Sequence, residues 1–288
     1  MLAHKANIAV YKDGMFVPRL TDFDVDECLQ DARRFSLRWV AIDEDTGEEL
    51  PEVHEFLGKL EGYLGKPIAR LNPGRDFRFW LRQYNHFLPS PQTRWCTRQL
   101  KLAPFEDWVK PWLAAGDKVT SYVAIRADED YREGYSTKAE NLVVKLPFRE
   151  AGIDKANVID ILENSGVGYP KYYEWRSRSG CTFCFFQQKI EWVRLKSKHP
   201  QAYEEAKALE KDALEHGSPF TWTKGESLTD LENPERVAKI EADYELRRAR
   251  MRKSIPINPL RPVKTCPEDI DDVYGEDEGN GACAICHK

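Results

Sequence analysis

Two Cys-x-x-Cys pairs are the residues of this 288-residue chain best suited to chemistry. Cys181 and Cys184 lie in the aromatic-rich stretch RSRSGCTFCFFQQKIEW, and Cys283 and Cys286 lie in the final ACAICHK. Such a pair serves as a redox dithiol, as half of a zinc site or as part of an iron–sulfur site. Redox dithiols usually begin a helix within a thioredoxin-like pattern, which this sequence lacks. Two pairs in one chain therefore favour a shared metal site.

A third reactive group occupies TRWCTRQLKLAPF, where Arg94, Arg98 and Lys101 surround Cys96. Neighbouring cations favour the thiolate, which is the form of cysteine that binds metal or attacks an electrophile. The same cations suit a phosphate group. A buried cysteine beside a solvated basic helix face is the alternative interpretation of this stretch.

Polar residues also follow a predicted buried strand over 37–42. Its sequence LRWVAI leads into DTGEELPE, which begins with Asp45, Thr46 and Gly47. In a parallel sheet such residues lie at the edge where ligands bind, so we expect these three to contact a ligand. The alternative is a plain loop, with Pro51 in the first turn of the next helix.

A second predicted strand, DKVTSYVAI, leads into IRADEDYREGY. Arg126 and Arg132 in this stretch suit a phosphate or a sulfate group, with Glu129 holding one of the two arginines in place. Arg176 and Arg178, which precede the first cysteine pair, are expected to face the same anion. The alternative is a surface network of ion pairs.

The order of apolar segments predicts the fold class. Short runs typical of strands alternate with amphipathic stretches typical of helices. The strands are expected at 7–11, 37–42, 66–71 and 117–125, and the helices at 24–35, 52–65 and 103–116. This alternation indicates an α/β fold with a mostly parallel sheet. The chain becomes charged and helical further on, so we expect an α/β domain over 1–185 and a helical extension over 186–288.

Apolar runs and cysteine content bear on the location of the protein. No apolar run approaches the ~18 residues of a membrane span. The N-terminal MLAHKANIAVYKDG lacks the apolar core of a secretory signal. We therefore expect a cytoplasmic protein without membrane contact. Disulfides are rare there, so the seven cysteines indicate metal binding or catalysis.

Charge patterning identifies one candidate contact surface. The net charge of −5 does not indicate a general nucleic-acid binder. A helix predicted over 234–253 nevertheless carries seven cations, which are Arg236, Lys239, Arg247, Arg248, Arg250, Arg252 and Lys253. This basic helix is a candidate contact for a nucleic acid or a protein partner. The alternative is a solvated helix face with acidic neighbours.

Four segments together resemble the phosphoadenosine phosphosulfate reductase family of adenine nucleotide α-hydrolase-like proteins, over roughly residues 36–192. DTGEELPE is similar to the family's Asp-Thr-Gly-x-Glu-x-Pro-Glu segment, and IRADEDYR to its Arg-x-x-Glu-Ser-x-x-Arg segment. WCTRQLKLAPF resembles the Cys-Cys-x-x-Arg-Lys-Val-x-Pro segment of the iron–sulfur branch, and CTFC resembles that branch's later Cys-x-x-Cys. The stretch around CTFC looks closest to reductase-like proteins of phages, defence gene clusters and DNA phosphorothioation systems.

The resemblance implies a doubly wound sheet, an adenine nucleotide ligand and a 4Fe–4S cluster. The cluster ligands that it implies here are Cys96, Cys181 and Cys184. A fourth ligand is expected from Cys286 or Cys283, with Cys266 as the next choice, since such a cluster normally takes four cysteines. A zinc site built from the two Cys-x-x-Cys pairs, with Cys96 left free, is the alternative.

Departures from the family pattern keep the function open. Trp95 stands where the iron–sulfur branch has the first of two adjacent cysteines, and Asp130 replaces the serine of the arginine motif. The family's nucleotide-binding loop, Ser-Gly-Gly-x-Asp-Ser, supplies backbone N–H groups to phosphates. Only Lys12, Asp13 and Gly14 correspond to it here. Nucleotide activation of the usual kind is therefore in doubt.

Two functions follow from these observations. The first is sulfur-transfer or reductive chemistry on an adenylylated or sulfated substrate, or on a nucleic acid, linked to mobile elements or defence. The second is a non-catalytic, metal-stabilised subunit of a nucleic-acid-associated defence complex, which the lost loop favours. A reductase of sulfate assimilation is disfavoured, because ACAICHK does not resemble the C-terminal tail of those enzymes.

Overall fold

The structure is a computed structural model that describes residues 7–11, 38–43, 46–71, 74–130, 132–177 and 180–254. Its strands are β1 (Asn7–Tyr11), β2 (Arg38–Asp43), β3 (Ala69–Arg70), β4 (Lys118–Tyr122) and β5 (Leu142–Lys145). Its α-helices of four or more residues are α1 (Pro51–Leu64), α2 (Phe77–Gln83), α3 (Ala103–Ala114), α4 (Pro147–Glu150), α5 (Lys155–Asn164), α6 (Lys189–Lys198), α7 (Pro200–Glu215) and α8 (Pro234–Ser254). The helix predicted over 24–35 lies outside the described residues. None of the described helices is long and apolar enough to cross a bilayer.

The strands form one five-stranded sheet in the order β3–β2–β1–β4–β5. β1 is antiparallel to both of its neighbours, β2 and β4. β3 is parallel to β2, and β5 is parallel to β4. Four strands therefore run in one direction and the central strand opposes them. The α/β class is confirmed: helices are combined with short strands, and some of these strands pair in parallel.

Local sequence explains where α1 begins and ends. Leu50 is extended and Pro51 takes the first helical position, where its missing N–H costs no hydrogen bond. Val53, Phe56 and Leu57 share the buried face of the helix, at the spacing of one helical stripe. Gly65 ends the helix in the left-handed conformation at φ 62°, which glycine adopts without strain. The polar DTGEELPE segment is thus followed by a fixed helix.

Backbone contacts divide the described residues into two compact units. Unit 1 contains the described residues up to Asp76 and the segment Cys96–Tyr173, and it includes the whole sheet. Unit 2 contains Phe77–Trp95 and the described residues from Glu174 onwards. The units interleave along the sequence. A boundary between an α/β domain over 1–185 and an extension over 186–288 stays a prediction.

Two groups of buried apolar side chains lie in the core of unit 1 among the described residues. One group joins the sheet to α3 and contains Ile42, Leu71, Phe105, Val109, Val119 and Leu142. The other lies around α5 and contains Phe56, Ala124, Phe148, Val158, Leu162 and Val167. Strands β2 and β4 contribute to the first group and are thereby held in place by apolar packing.

The core of unit 2 is built around large aromatic side chains. Trp192 on α6, Tyr203 on α7 and Trp222 are almost completely buried. The Tyr203 hydroxyl donates to the Leu228 carbonyl at 2.7 Å, and Trp222 Nε1 donates to the Ala206 carbonyl at 2.8 Å. The polar atoms of these rings therefore fix the segment after α7 to the helix itself.

A buried carboxylate completes this attachment. Glu210 of α7 accepts the N–H of Trp222 at 2.8 Å through one oxygen and the N–H of Leu228 at 2.6 Å through the other. Burial raises the pKa of Glu210, although both N–H groups act in the opposite direction. One side chain thus satisfies two main-chain donors that have lost contact with water.

Replacing Glu210 with Ala is expected to lower the free energy of unfolding by at least ~2 kcal/mol, because two buried N–H groups lose their acceptor at about 1–3 kcal/mol each. The exposed Glu205→Ala on the same helix is the matched control and should change it by less than ~0.5 kcal/mol. Urea unfolding followed by tryptophan fluorescence measures both. Equal effects of the two variants would contradict the role of Glu210.

Candidate functional site

The two strand-end motifs of unit 1 begin at one edge of the sheet. β2 and β4 are both antiparallel to β1, so their carboxyl ends point the same way. Thr46, three residues beyond β2, is buried with 3% of its surface exposed, and its hydroxyl lies 3.4 Å from the Glu48 nitrogen. Gly47 is exposed, with a left-handed φ of 76°. Asp45 lies outside the described residues.

The segment after β4 forms a buried network of opposite charges. Arg126 is 8% exposed and Glu129 is 6% exposed. Arg126 donates through Nε and Nη2 to the two carboxylate oxygens of Asp128, at 2.9 and 3.0 Å. Glu129 accepts the Arg126 backbone N–H at 3.1 Å and Arg132 Nη1 at 2.8 Å. Glu129 therefore positions both arginines, whereas the sequence pattern predicts that it holds one.

A third arginine joins this network and is absent from the sequence prediction. Arg149 of α4 donates through Nη2 to the main-chain oxygens of Glu129, at 2.6 Å, and Arg132. Because Arg149 is anchored by carbonyls rather than by a carboxylate, it adds positive charge to the loop. No motif signals its role, since it lies 17 residues beyond Arg132 in sequence.

The segment around Cys96 is helical and belongs to unit 1. Trp95–Thr97 is a short α-helical turn, and a π-helical stretch over Arg98–Leu102 leads into α3. Cys96 is half-buried. Arg98 is exposed and Lys101 is half-buried. π-Helical turns within α-helices occur often at functional sites, which agrees with a role for this segment.

The first cysteine pair lies in a tight turn of unit 2. The Cys184 N–H donates to the Cys181 carbonyl at 3.3 Å, and both cysteines are half-buried. Arg176, only 2% exposed, donates to the carbonyls of Gly180 at 3.2 Å and Cys181 at 2.6 Å. The buried guanidinium of Arg176 thus holds the main chain of the cysteine turn through hydrogen bonds. Such a cation favours negative charge on groups close to it.

Aromatic packing holds the same turn in place. Phe183, between the two cysteines, is buried, and its ring centroid lies 4.7 Å from that of Phe77 and 5.3 Å from that of Trp222. The buried carboxylate of Glu191 accepts the backbone N–H groups of Ser177 and Gln188. The turn is therefore anchored on both sides of the thiols, which is the support that a metal site requires.

Several predicted site residues lie outside the described part of the chain. They are Asp45, Arg178, Cys266, Cys283 and Cys286. Cys96 is described within unit 1, and Cys181 and Cys184 within unit 2. A shared site for these cysteines stays a prediction.

The predicted basic helix is part of α8. Ile240 is buried, and the Arg194 guanidinium of α6 lies 4.6 Å from the ring centroid of Tyr244. Arg236 forms an ion pair with Glu226 at 2.7 Å, and the exposed Arg248 lies 3.7 Å from Glu245. Only one stripe of α8 is packed, so much of its described length faces water. Both interpretations of the helix, as a contact surface and as a solvated face, stay open.

Comparison with known proteins gives a distant similarity to an uncharacterized archaeal protein. No protein-family model matches this chain, and no solved structure matches it. An uncharacterized protein of Methanocaldococcus jannaschii is 26% identical to it over 186 residues. The similar region covers 62% of this chain and 38% of the archaeal protein. The chain thus spans well under half of that relative.

The Glu129 network makes stability depend on pH. Burial opposes ionisation of Glu129, but Arg132 and Arg126 outweigh it and hold the pKa of Glu129 below its ordinary value of 4.5. Because the pKa is lower in the folded than in the unfolded protein, ionised Glu129 stabilises the fold above about pH 4.5. That stabilisation is lost as the pH falls below this value.

Glu129→Gln is therefore expected to flatten the loss of stability between about pH 5 and pH 3, and to lower the free energy of unfolding at pH 7 by roughly 3–5 kcal/mol, because Arg132 loses its buried carboxylate. Denaturant unfolding at a series of pH values measures both effects. The control is Asp130→Asn, which removes an exposed acid of the same loop. An equally steep acid response in Glu129→Gln and wild type would refute the role of Glu129.

Proposed function

We propose that this chain is a phosphoadenosine phosphosulfate reductase-like iron–sulfur protein, linked to mobile elements or defence, that acts on an adenylylated or sulfated substrate or on a nucleic acid. The proposal depends most on one observation: the segments after β2 and β4 begin at the same edge of one sheet. Doubly wound folds bind their ligands at this edge. The order β3–β2–β1–β4–β5 supports such a fold, although β1 runs antiparallel to its neighbours.

The charged loop after β4 supports the binding of an anion. Arg132 uses one nitrogen on Glu129, and a guanidinium carries five N–H donors. An arginine anchored in this way is held in one orientation, which suits the binding of a phosphate or sulfate group. Arg149, which is anchored by carbonyls, adds positive charge to the same loop. In this proposal Asp45, Thr46 and Gly47 contact the nucleotide part of the substrate.

The thiols suit an iron–sulfur cluster by their chemistry. Cysteine thiolates are the usual ligands of such clusters, and Cys96, Cys181 and Cys184 are each half-buried. Buried Arg176 binds the turn that carries Cys181 and favours the negative charge of a thiolate-bound cluster. Cys283 or Cys286 would supply the fourth ligand. When bound, the cluster would transfer electrons or stabilise charge on the substrate. Zinc held by the two pairs is the alternative.

A second candidate function is a non-catalytic, metal-stabilised subunit of a nucleic-acid-associated defence complex. The bidentate pairing of Arg126 with Asp128 favours it, because a carboxylate already occupies donors that a substrate would need. The exposed stretch of α8 offers cations to a phosphate backbone. The missing nucleotide loop agrees with loss of catalysis.

Metal analysis of anaerobically purified protein tests the cluster. We expect about four irons per chain and a broad absorption band in the blue. Cys181→Ser and Cys184→Ser should each lose most of the iron, because each removes a ligand. Thr182→Ser, a change in the same turn, should retain it and controls for disturbance of the loop. One zinc and no iron in the wild-type protein would overturn the iron–sulfur assignment.

Anaerobic assay of the iron-loaded protein with adenosine phosphosulfate, phosphoadenosine phosphosulfate and a dithiol tests the activity. The dithiol gives two electrons, becomes a disulfide and reduces the sulfuryl group to sulfite, which leaves the nucleotide. We expect sulfite release that falls at least about 100-fold in Arg132→Gln and is unchanged in Arg248→Gln, since only Arg132 is proposed to bind the anion. No turnover, combined with salt-dependent DNA binding that Arg248→Gln weakens, would favour the second function.

A further inference from the structure

Three metal-ligating side chains of unit 2 converge away from the cysteine turn. They are His86, Asp212 and His216, and their ligand atoms all lie within 4.8 Å of one another. His86 Nδ1 is 2.6 Å from Asp212 Oδ2, and His216 Nδ1 is 3.5 Å from Asp212 Oδ1. We propose that these residues bind a divalent transition-metal ion, of which Zn²⁺ fits the ligands best. This site is independent of the proposed iron–sulfur cluster.

The end of α7 places two of the three ligands. Asp212 and His216 are four residues apart, so they lie on one face of the helix, one turn from each other. The His216 N–H donates to the Asp212 carbonyl at 3.1 Å, which carries the helical pattern through His216. Gly217 then turns the chain at φ 83°, and the Ser218 N–H returns to the Ala213 carbonyl at 2.9 Å. This ending fixes the His216 backbone.

The turn after α2 supplies the third ligand in an uncommon backbone conformation. Asn85 and His86 both have positive φ, at 52° and 61°, which few residues other than glycine adopt. The His86 N–H donates to the Leu81 carbonyl at 2.8 Å and so fixes this turn. The Leu88 nitrogen lies 3.4 Å from Ser218 Oγ and connects the two turns. The two helix ends are thereby held next to each other.

The electrostatic environment of these three side chains suits a cation. Both α2 and α7 end here, and the C-terminus of a helix carries partial negative charge. The Asp212 carboxylate adds negative charge beside the two rings. The His86 and His216 rings stack with centroids 3.9 Å apart and an interplanar angle of 10°. Imidazole nitrogens are common ligands of zinc.

The distances fit an ion after the side chains adjust. Zinc binds imidazole nitrogen and carboxylate oxygen at about 2.0–2.2 Å in a tetrahedral arrangement, so two of its ligand atoms lie about 3.3–3.6 Å apart. The ligand atoms of this group lie within 4.8 Å of one another, so side-chain movements of about 1–1.5 Å or less bring them into that range. The parallel rings must also tilt towards the ion. His216 has room to do so, because 49% of its side chain is exposed.

The ligand set also defines the kind of site. Two histidines and one carboxylate leave a fourth position of zinc for water or another small ligand. The side chains of Asp212 and His216 are 43% and 49% exposed, so solvent can reach that position. The alternative is plain hydrogen bonding without any ion, in which His86 Nδ1 pairs with the Asp212 carboxylate and His216 Nδ1, 2.7 Å from the Asp212 carbonyl oxygen, donates to it.

Zinc titration of the full-length, chelator-treated protein by calorimetry distinguishes these alternatives. We expect His216→Gln and Asp212→Asn each to bind one zinc fewer than wild type, or to bind it at least about 10-fold more weakly. His54→Gln is the matched control. His54 lies in unit 1 with its Nδ1 3.1 Å from an Arg70 nitrogen and belongs to no such group among the described residues. Any zinc that the cysteines bind should be the same in all these proteins, because none of the variants changes a cysteine.

Two further measurements separate the site from folding and from the cysteines. Zinc should raise the thermal unfolding midpoint of wild type but not of His216→Gln, whose midpoint without zinc should match that of wild type because the changed side chain is half exposed. A variant with both Cys181→Ser and Cys184→Ser should lose its iron and keep this zinc. Equal zinc binding by wild type, His216→Gln and His54→Gln would overturn the proposed site.

Discussion

The direction of the strands in the sheet is the constraint on which the candidate substrate site depends. β1 pairs antiparallel with β2 on one side and with β4 on the other, so β2 and β4 run the same way. Their carboxyl ends consequently share one edge, and the polar segments that follow them begin there. A reversed strand would place one of the two motifs at the opposite edge. The Glu129 network is part of a candidate substrate site only because the two strands run in the same direction.

Buried charges perform a common structural task in both units. Glu129 holds the Arg132 guanidinium and the Arg126 backbone N–H, Arg176 holds two carbonyls of the cysteine turn, and Glu210 holds two N–H groups beyond α7. In each case one side chain satisfies several polar groups that have lost water, which fixes a loop that has little regular structure of its own. Two of the three loops carry residues that resemble family motifs. The rigidity of these loops serves both proposed functions, since an anion site and a metal site each need ligands held in position.

Much of the α/β framework can be predicted from the sequence. The apolar runs around 38–43 and 118–122 give strands, and Pro51 and Gly65 delimit α1, because these signals are local. β5 is absent from the sequence prediction, since a four-residue apolar run is too short to distinguish a strand from a loop. The antiparallel direction of β1 also has no sequence signal. Strand direction depends on pairing between segments that lie about 30 and 110 residues apart.

The sequence by itself determined which residues can do chemistry: the cysteines, the arginines around Glu129 and the polar segments after two strands. Their residue types and spacing are properties of the chain alone. Only the tertiary structure decided that Arg149 joins the loop after β4, that Glu129 anchors two arginines, and that His86 meets Asp212 across 126 residues. These contacts form between distant segments, and the packing that brings such segments together leaves no short-range pattern in the sequence.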